Sequence, residues 1–301
     1  MTTADRTAPR ESPDCPADDA ARRAYWTEQM ELGDAFVQQL LAFPVDECGE
    51  RLASLPEAAA AAGVEMAFSD SPIAGHLARV HWVREGLVGD ILAIGHDVNR
   101  RGWILKIEDG FRSLEMQRRL ACKPGLFDTI VARCTWENGG SVPPPEVVAR
   151  RAIVLVANIP KIGTHMSASA IDISVLYRDD GREVWRGNPY LHMSERTPMR
   201  SPFVEPDALR NRLAITDVME SHGFMHYPFE FWHYSKGDAM SHLLSDDPRP
   251  APYGPVEWDP RSGEVVPVID ALSPLNPLDV IEQEIAAAVR RTEEQRHASR
   301  S

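Results

Sequence analysis

The stretch GTHMSASAID, residues 163–172, lies between two apolar runs, AIVLVA at 152–157 and ISVLY at 173–177. It places His165 and Asp172 seven residues apart, separated almost wholly by small side chains. Farther on, FEFWHY at 229–234 carries Glu230 and His233 three apart in an aromatic run. In a regular strand, a separation of seven puts two residues on opposite faces, and so does a separation of three. For either pair to act together, its segment must contain a turn, bulge or strand end. For the two pairs to act together, the fold must join distant parts of the chain. Ser167, Ala168, Ser169 and Ala170 would let the backbone wrap tightly around an ion.

The residue types suit a metal. A catalytic zinc site usually takes three protein ligands from His, Asp, Glu or Cys and keeps one position open. His165 and Asp172 can supply two, and His233 is the candidate third. A nearby unligated carboxylate, Glu230, can take a proton from an activated water. The pattern is not HExxH, in which both histidines share one helix face.

A chain of 301 residues that is 43% hydrophobic and 26% charged can bury a proper core. No apolar run is long enough for a membrane span, and the polar N-terminus has no secretory h-region. The net charge of -13 disfavours nucleic acid and anionic membranes as general partners. Cys15, Cys48, Cys122 and Cys134 form no CxxC pair, so neither a disulfide framework nor a cysteine zinc site is expected. A cytoplasmic location is the expectation.

Residues 1–20, rich in Pro, Asp, Ala and Thr, are expected to be disordered. A single catalytic domain is expected over 21–270, and a C-terminal amphipathic helix and tail over 271–301. Helical spacing covers 21–41, with Met30, Phe36, Leu40 and Leu41 apolar and Pro44 as the stop. A short helix is predicted over 55–63, with Ser54 as cap and Pro56 in its first turn. Further helices are predicted over 84–101 and 113–120, from 146 onward, over 205–221 and over 279–294. Residues 64–68, 102–107 and 229–234 read as strands, and the proline-rich 248–267 as irregular surface. Helices and strands alternate without regular βαβ spacing. The fold class expected is α+β, with a mostly antiparallel central sheet flanked by helices.

Taken together, the motifs resemble the D-alanyl-D-alanine dipeptidase (VanX-like) family of zinc peptidases. That family shows S-x-H-x-x-G-x-A-x-D, matched here at His165, Ala170 and Asp172. Its E-W-W-H-Y-S-x-G-D is matched nearly throughout by EFWHYSKGD at 230–238. Its D-G-Y-R-P with a following Gln is matched by DGFRS at 109–113 and by Gln117. The resemblance spans roughly residues 60–240 and implies a VanX/hedgehog-like metallopeptidase fold. It also implies one Zn2+ per chain on His165, Asp172 and His233, with Glu230 as general base. Arg112 would stabilise the oxyanion. Trp232 and Tyr234 would be core or pocket wall.

The chain departs from the family where the amino group is held. Gly163 replaces the family's Ser, Ala168 its Gly, and RGNPYL at 186–191 puts Leu191 where M-G-T-x-F-D has its Asp. Gly and Leu offer no side-chain acceptor to an ammonium. A small peptide substrate other than free D-Ala-D-Ala is therefore expected. The alternatives are a metallo-amidase acting on an N-blocked or longer peptide in a specialised pathway, and a catalytically weak, metal-stabilised binding protein. His192 could be a further ligand or a substrate contact, though a solvated loop histidine is commoner. His222 and His226 could mimic a metal pair, and His76, His81 and His96 carry no clear signal. The extensions outside the resemblance could cover the site, pack on the core or form a homodimer contact.

Overall fold

The helices each bury one stripe, and the sheet strands between them are short, so the site is set by where strands end. A computed structural model describes residues 16–298. Of the segment expected to be disordered, residues 1–15 lie outside those described, while 16–20 are the first turns of α1 (Pro16–Ala42). There follow β1 (Leu52–Ser54), α2 (Leu55–Ala62), β2 (Met66–Phe68), β3 (Trp82–Arg84), α3 (Glu85–Arg100) and β4 (Trp103–Asp109). Next come α4 (Leu114–Ala121), α5 (Pro124–Glu137), α6 (Pro145–Val156) and a 3-10 turn, Pro160–Ile162. Then come β5 (Ala170–Tyr177), α7 (Pro206–Ser221), β6 (Met225–His226) and β7 (His233–Ser235). The chain closes with α8 (Ala239–Leu244), β8 (Val256–Trp258), β9 (Val265–Pro267) and α9 (Leu278–Ala298).

The class is mixed α/β. The five-stranded sheet runs β2-β4-β5-β7-β6. Its β2–β4 pair is parallel and the other three pairs are antiparallel, which corrects the expected mostly antiparallel sheet to a mixed one. Parallel neighbours need a crossover, and α3 supplies it between β2 and β4. Local chemistry explains the helix ends. Ser54 accepts the Glu57 N–H at the start of α2, and Gly63 closes it at φ 65°, in the left-handed region that glycine enters freely.

On α1 the buried stripe is Trp26, Met30, Val37 and Leu40. Gly33 lies on the same face, where a methyl group would come within 2.5 Å of a Val154 methyl. The glycine thus sets how closely α1 lies on α6, and α9 packs against α5 and α6 through Ile281, Ile285 and Ala288.

Two predicted segments differ from expectation. Residues 248–267 are not wholly irregular: β8 and β9 pair as an antiparallel hairpin, and Trp258 stacks on Trp82 at 4.6 Å. The strand predicted over 229–234 begins only at His233; before it the chain turns, with Glu230 N–H bonded to the Tyr227 carbonyl.

Candidate metal centre

Cross-strand register aligns the site. Asp109 of β4 faces Asp172 of β5, and Asp172 faces His233 of β7, so three adjacent strands present one row of polar side chains. A register shift between Ile107 and Asp109 brings Asp109 into that row. The turn over 163–169 returns His165 to the same face as Asp172, and the turn before β7 does the same for Glu230 and His233. These are the turns that spacings of seven and three required.

The small residues of the first turn serve its buried backbone. Ser167 donates to the Thr164 carbonyl at 2.7 Å, and Ser169 donates to Asp238 at 2.6 Å. Ala168 sits at φ 56°, a conformation that costs an L-residue roughly 1–2 kcal/mol. Its buried methyl belongs to the cluster of Leu52, Phe111 and Val256, which offsets part of that cost. Gly163 has an ordinary φ of −81°, and the space a side chain would take is crowded by Met166 Sδ and the Pro160 carbonyl.

His165, Asp172 and His233 are all buried, and one ligand atom from each lies within 4.8 Å of the others. His165 Nε2 is 3.1 Å and His233 Nδ1 2.9 Å from Asp172 Oδ1. The outer nitrogens are held as well: His165 Nδ1 lies 2.7 Å from the Gly110 carbonyl, and His233 Nε2 lies 2.7 Å from the Thr164 hydroxyl. A carbonyl only accepts, so His165 Nδ1 carries the proton, and in the neutral ring the Nε2 lone pair faces a carboxylate. That contact is repulsive unless a cation lies between the two atoms. The donor set of two imidazole nitrogens and one carboxylate oxygen fits zinc; the Gly110 carbonyl fixes the His165 tautomer, and the Thr164 hydroxyl holds the outer edge of the His233 ring. The described cysteines, Cys48, Cys122 and Cys134, are free thiols outside this cluster.

The second oxygen of Asp172 is also engaged. Tyr190 donates to Oδ2 at 2.9 Å, and Arg112 reaches it at 3.3 Å. Arg112 is further fixed by Asp109 at 2.7 Å and Gln117 at 3.2 Å, and Arg79 adds a second cation on Asp109 at 3.2 Å. Burial alone would raise the Asp172 pKa, but the two imidazoles hold it well below the usual carboxylate range. Burial lowers the His233 pKa, which favours the neutral ring, the form able to bind a metal. Burial opposes the Arg112 charge, yet Asp109 and Asp172 raise its pKa above the ordinary value.

Glu230 stands beside the cluster without belonging to it. Burial, with the Asp172 charge second, pushes its carboxyl well above the normal range. A cavity of about 70 Å³ adjoins these groups and is lined by Gly163, Leu191, Trp232 and Glu230 among others. Leu191 is held at φ 63°, which is rare for so bulky a residue.

Tyr234 does not reach the cavity. It points to the opposite face of the sheet, where its hydroxyl lies 2.9 Å from Thr216 of α7, and Tyr227 lines the cavity instead. His192 is exposed and bonded to Asn188, while His222 and His226 pair with Asp97 and Glu220. His76, His81 and His96 also lie outside the cluster. Tyr190, Thr164 and the Gly110 carbonyl are the functional groups that sequence reasoning missed. Both side chains sit inside the motifs around 163–172 and 186–191, but nothing in their identity marks them as partners of a candidate ligand.

Residues 127–250 match the peptidase M15 family, described as D-ala-D-ala dipeptidase. The chain is 28% identical over 106 residues to a D-alanyl-D-alanine dipeptidase of Enterococcus faecalis, covering 35% of this chain and 48% of that one. It thus spans about half the length of that relative. A D-alanyl-D-alanine dipeptidase of Synechocystis is 26% identical over 235 residues, covering 69% of this chain and 90% of that protein. One from Escherichia coli is 32% identical over 93 residues, covering 31% and 47%. The metal-competent triad and Glu230 fall inside the matched segment, and Arg112 and α1 precede it. Over these segments the chain is similar to D-alanyl-D-alanine dipeptidases and to the peptidase M15 family, which supports a VanX-like assignment.

Proposed function

We propose that the protein is a zinc-dependent peptidase with a VanX/hedgehog-like fold that hydrolyses an amide bond in a small peptide. Its chemistry is that of the dipeptidases, and its recognition of the amino group is altered. The observation that carries this reading is the convergence of His165 Nε2, Asp172 Oδ1 and His233 Nδ1 beside a buried, unligated Glu230. One zinc ion per chain, held by those three residues, would supply Lewis acidity at the carbonyl and acidify a water molecule. Glu230 takes a proton from the attacking water as the O–C bond forms. It returns that proton to the leaving amine as the C–N bond breaks. Arg112, braced by Asp109 and Gln117, presents fixed donors at the edge of the site where the carbonyl oxygen gains charge. The missing acceptors at Gly163 and Leu191 favour the second reading, an amidase for an N-blocked or longer peptide. Glu230 and Arg112 weigh against a mere binding protein, which needs neither.

Metal analysis coupled to a screen of LL, LD, DL and DD dipeptides, free and N-acylated, tests the proposal. One equivalent of zinc with chelator-sensitive cleavage is expected. A chain that takes up no zinc, or that cleaves equally well after chelation, would refute it. The Tyr190 hydroxyl gives a finer check on the centre. Tyr190→Phe removes one donor from Asp172 and should weaken zinc binding about 10–100-fold, as read by competition with a chromophoric chelator. Unchanged zinc affinity would show that the hydroxyl does not support the ligand.

No described helix is long and apolar enough to cross a membrane.

A further inference from the structure

The geometry points to an uncharged, apolar substrate: an amide whose nitrogen-terminal side is blocked and whose acyl-side residue carries a short hydrocarbon group. This rests on the hydrolase reading and specifies its substrate.

Charge within the cavity disfavours a zwitterion. Among the described residues, the only ionisable side chains lining the cavity are Arg112, His165, Asp172, Tyr227, Glu230 and His233. Each side of a zwitterionic dipeptide needs a partner, and the acids here are committed. Asp172 is shared among both histidines, Arg112 and Tyr190. Glu230 is the base, and an ammonium paired to it would hold its carboxylate charged and poorly basic. The one guanidinium is braced by Asp109, Gln117 and Asp172. An ammonium buried here would lose its water without gaining a counter-charge.

The cavity wall is largely apolar. Val37 and Leu40 of α1 face the cavity together with Val156 of α6, Leu120, Leu191 and Met193. Helix α1, which supplies part of this wall, precedes the segment that matches the peptidase family. Its position is fixed by the close approach at Gly33. At roughly 10–15 Å³ for each water-sized position, 70 Å³ admits a group of about half a dozen heavy atoms. Each methylene moved from water onto such a wall improves binding roughly fourfold.

The experiment uses the zinc-loaded full chain with N-acetyl-X-Ala-amides and the matching free X-Ala dipeptides, in both enantiomers, where X is Ala, Val or Leu. For the blocked series, kcat/KM is expected to exceed that of the free dipeptides at least about tenfold and to rise with the size of X. Leu191→Asp is the reciprocal test. Aspartate accepts a positive φ more readily than leucine, so the fold should survive, and the new carboxylate should shift the free-to-blocked ratio about tenfold toward the free dipeptide. A wild-type preference for free dipeptides, or an unchanged ratio in Leu191→Asp, would overturn the inference. Binding of the same compounds to the zinc-loaded Glu230→Gln protein, followed by tryptophan fluorescence, separates this inference from the hydrolase reading. If wild type cuts nothing, the hydrolase reading fails. Tighter binding of the blocked apolar compounds would still uphold the pocket, whereas tighter binding of the zwitterions, or no binding, would reject it.

Discussion

Replacing Glu230 by glutamine is expected to lower kcat/KM of the zinc-loaded protein by about 10²–10⁴-fold while zinc stays bound. A thousandfold loss corresponds to about 4 kcal/mol of transition-state stabilisation. Zinc should stay because no Glu230 oxygen belongs to the three-ligand cluster. The substitution should also change stability, in the opposite direction. Burial raises the Glu230 pKa above its unfolded value, so between those two values the folded chain binds more protons than the unfolded one. Stability of the zinc-free protein therefore falls as pH rises through that interval, and the contribution from the protonated carboxyl is fully present only below it. Glutamine has no such titration. Zinc-free Glu230→Gln should melt above zinc-free wild type at neutral pH and lack this part of the pH slope. Thermal melts from pH 5 to 8 after chelation, with kinetics on the reloaded protein, check both halves. A variant that kept a tenth or more of wild-type activity would remove Glu230 from the role of base.

Much of this candidate site's layout is legible in the sequence because its constraints are local. Spacings of seven and three demanded turns, and turns are what the chain makes at 163–169 and before His233. Helix ends were legible for the same reason: Ser54 and Gly63 act on their own neighbours. What sequence reasoning missed depends on partners far away. Helix α5 buries Phe127, Ile130, Val131 and Cys134, a helical stripe interleaved with Gly, Thr and Arg that becomes clear only once α9 and α6 cover it. Tyr234 and Tyr227 are both aromatic residues near His233; alternation along β7 turns Tyr234 away from the cavity, while Tyr227 lines it from the connection before β7. The parallel β2–β4 pair arises from the crossover through α3, a topological fact with no local signature. Tyr190 gained its role by lying 2.9 Å from an oxygen eighteen residues earlier in the chain.

Arg112 is where catalysis and folding should be hardest to separate, so its substitution needs a paired design. Arg112→Met removes the cation that Asp109 and Asp172 share in a buried setting. Breaking a buried pair in this way typically costs about 3–5 kcal/mol, because the remaining carboxylate keeps its desolvation without its partner. The lower end is expected, since Asp109 keeps Arg79 at 3.2 Å and Asp172 keeps Tyr190 at 2.9 Å. The loss of oxyanion donors should cut kcat by a further 10²–10³-fold. Arg112→Lys distinguishes the two effects. An ammonium restores one positive charge, but it cannot span Asp109, Gln117 and Asp172 at once as the planar fork does. Denaturant unfolding should show lysine recovering much of the stability lost in the methionine variant, while kcat stays far below wild type with KM little changed. If lysine restored kcat together with stability, the fork geometry would be irrelevant and the residue only a buried counter-ion. If methionine lowered the melting temperature and left kcat intact, Arg112 would have no part in the chemistry.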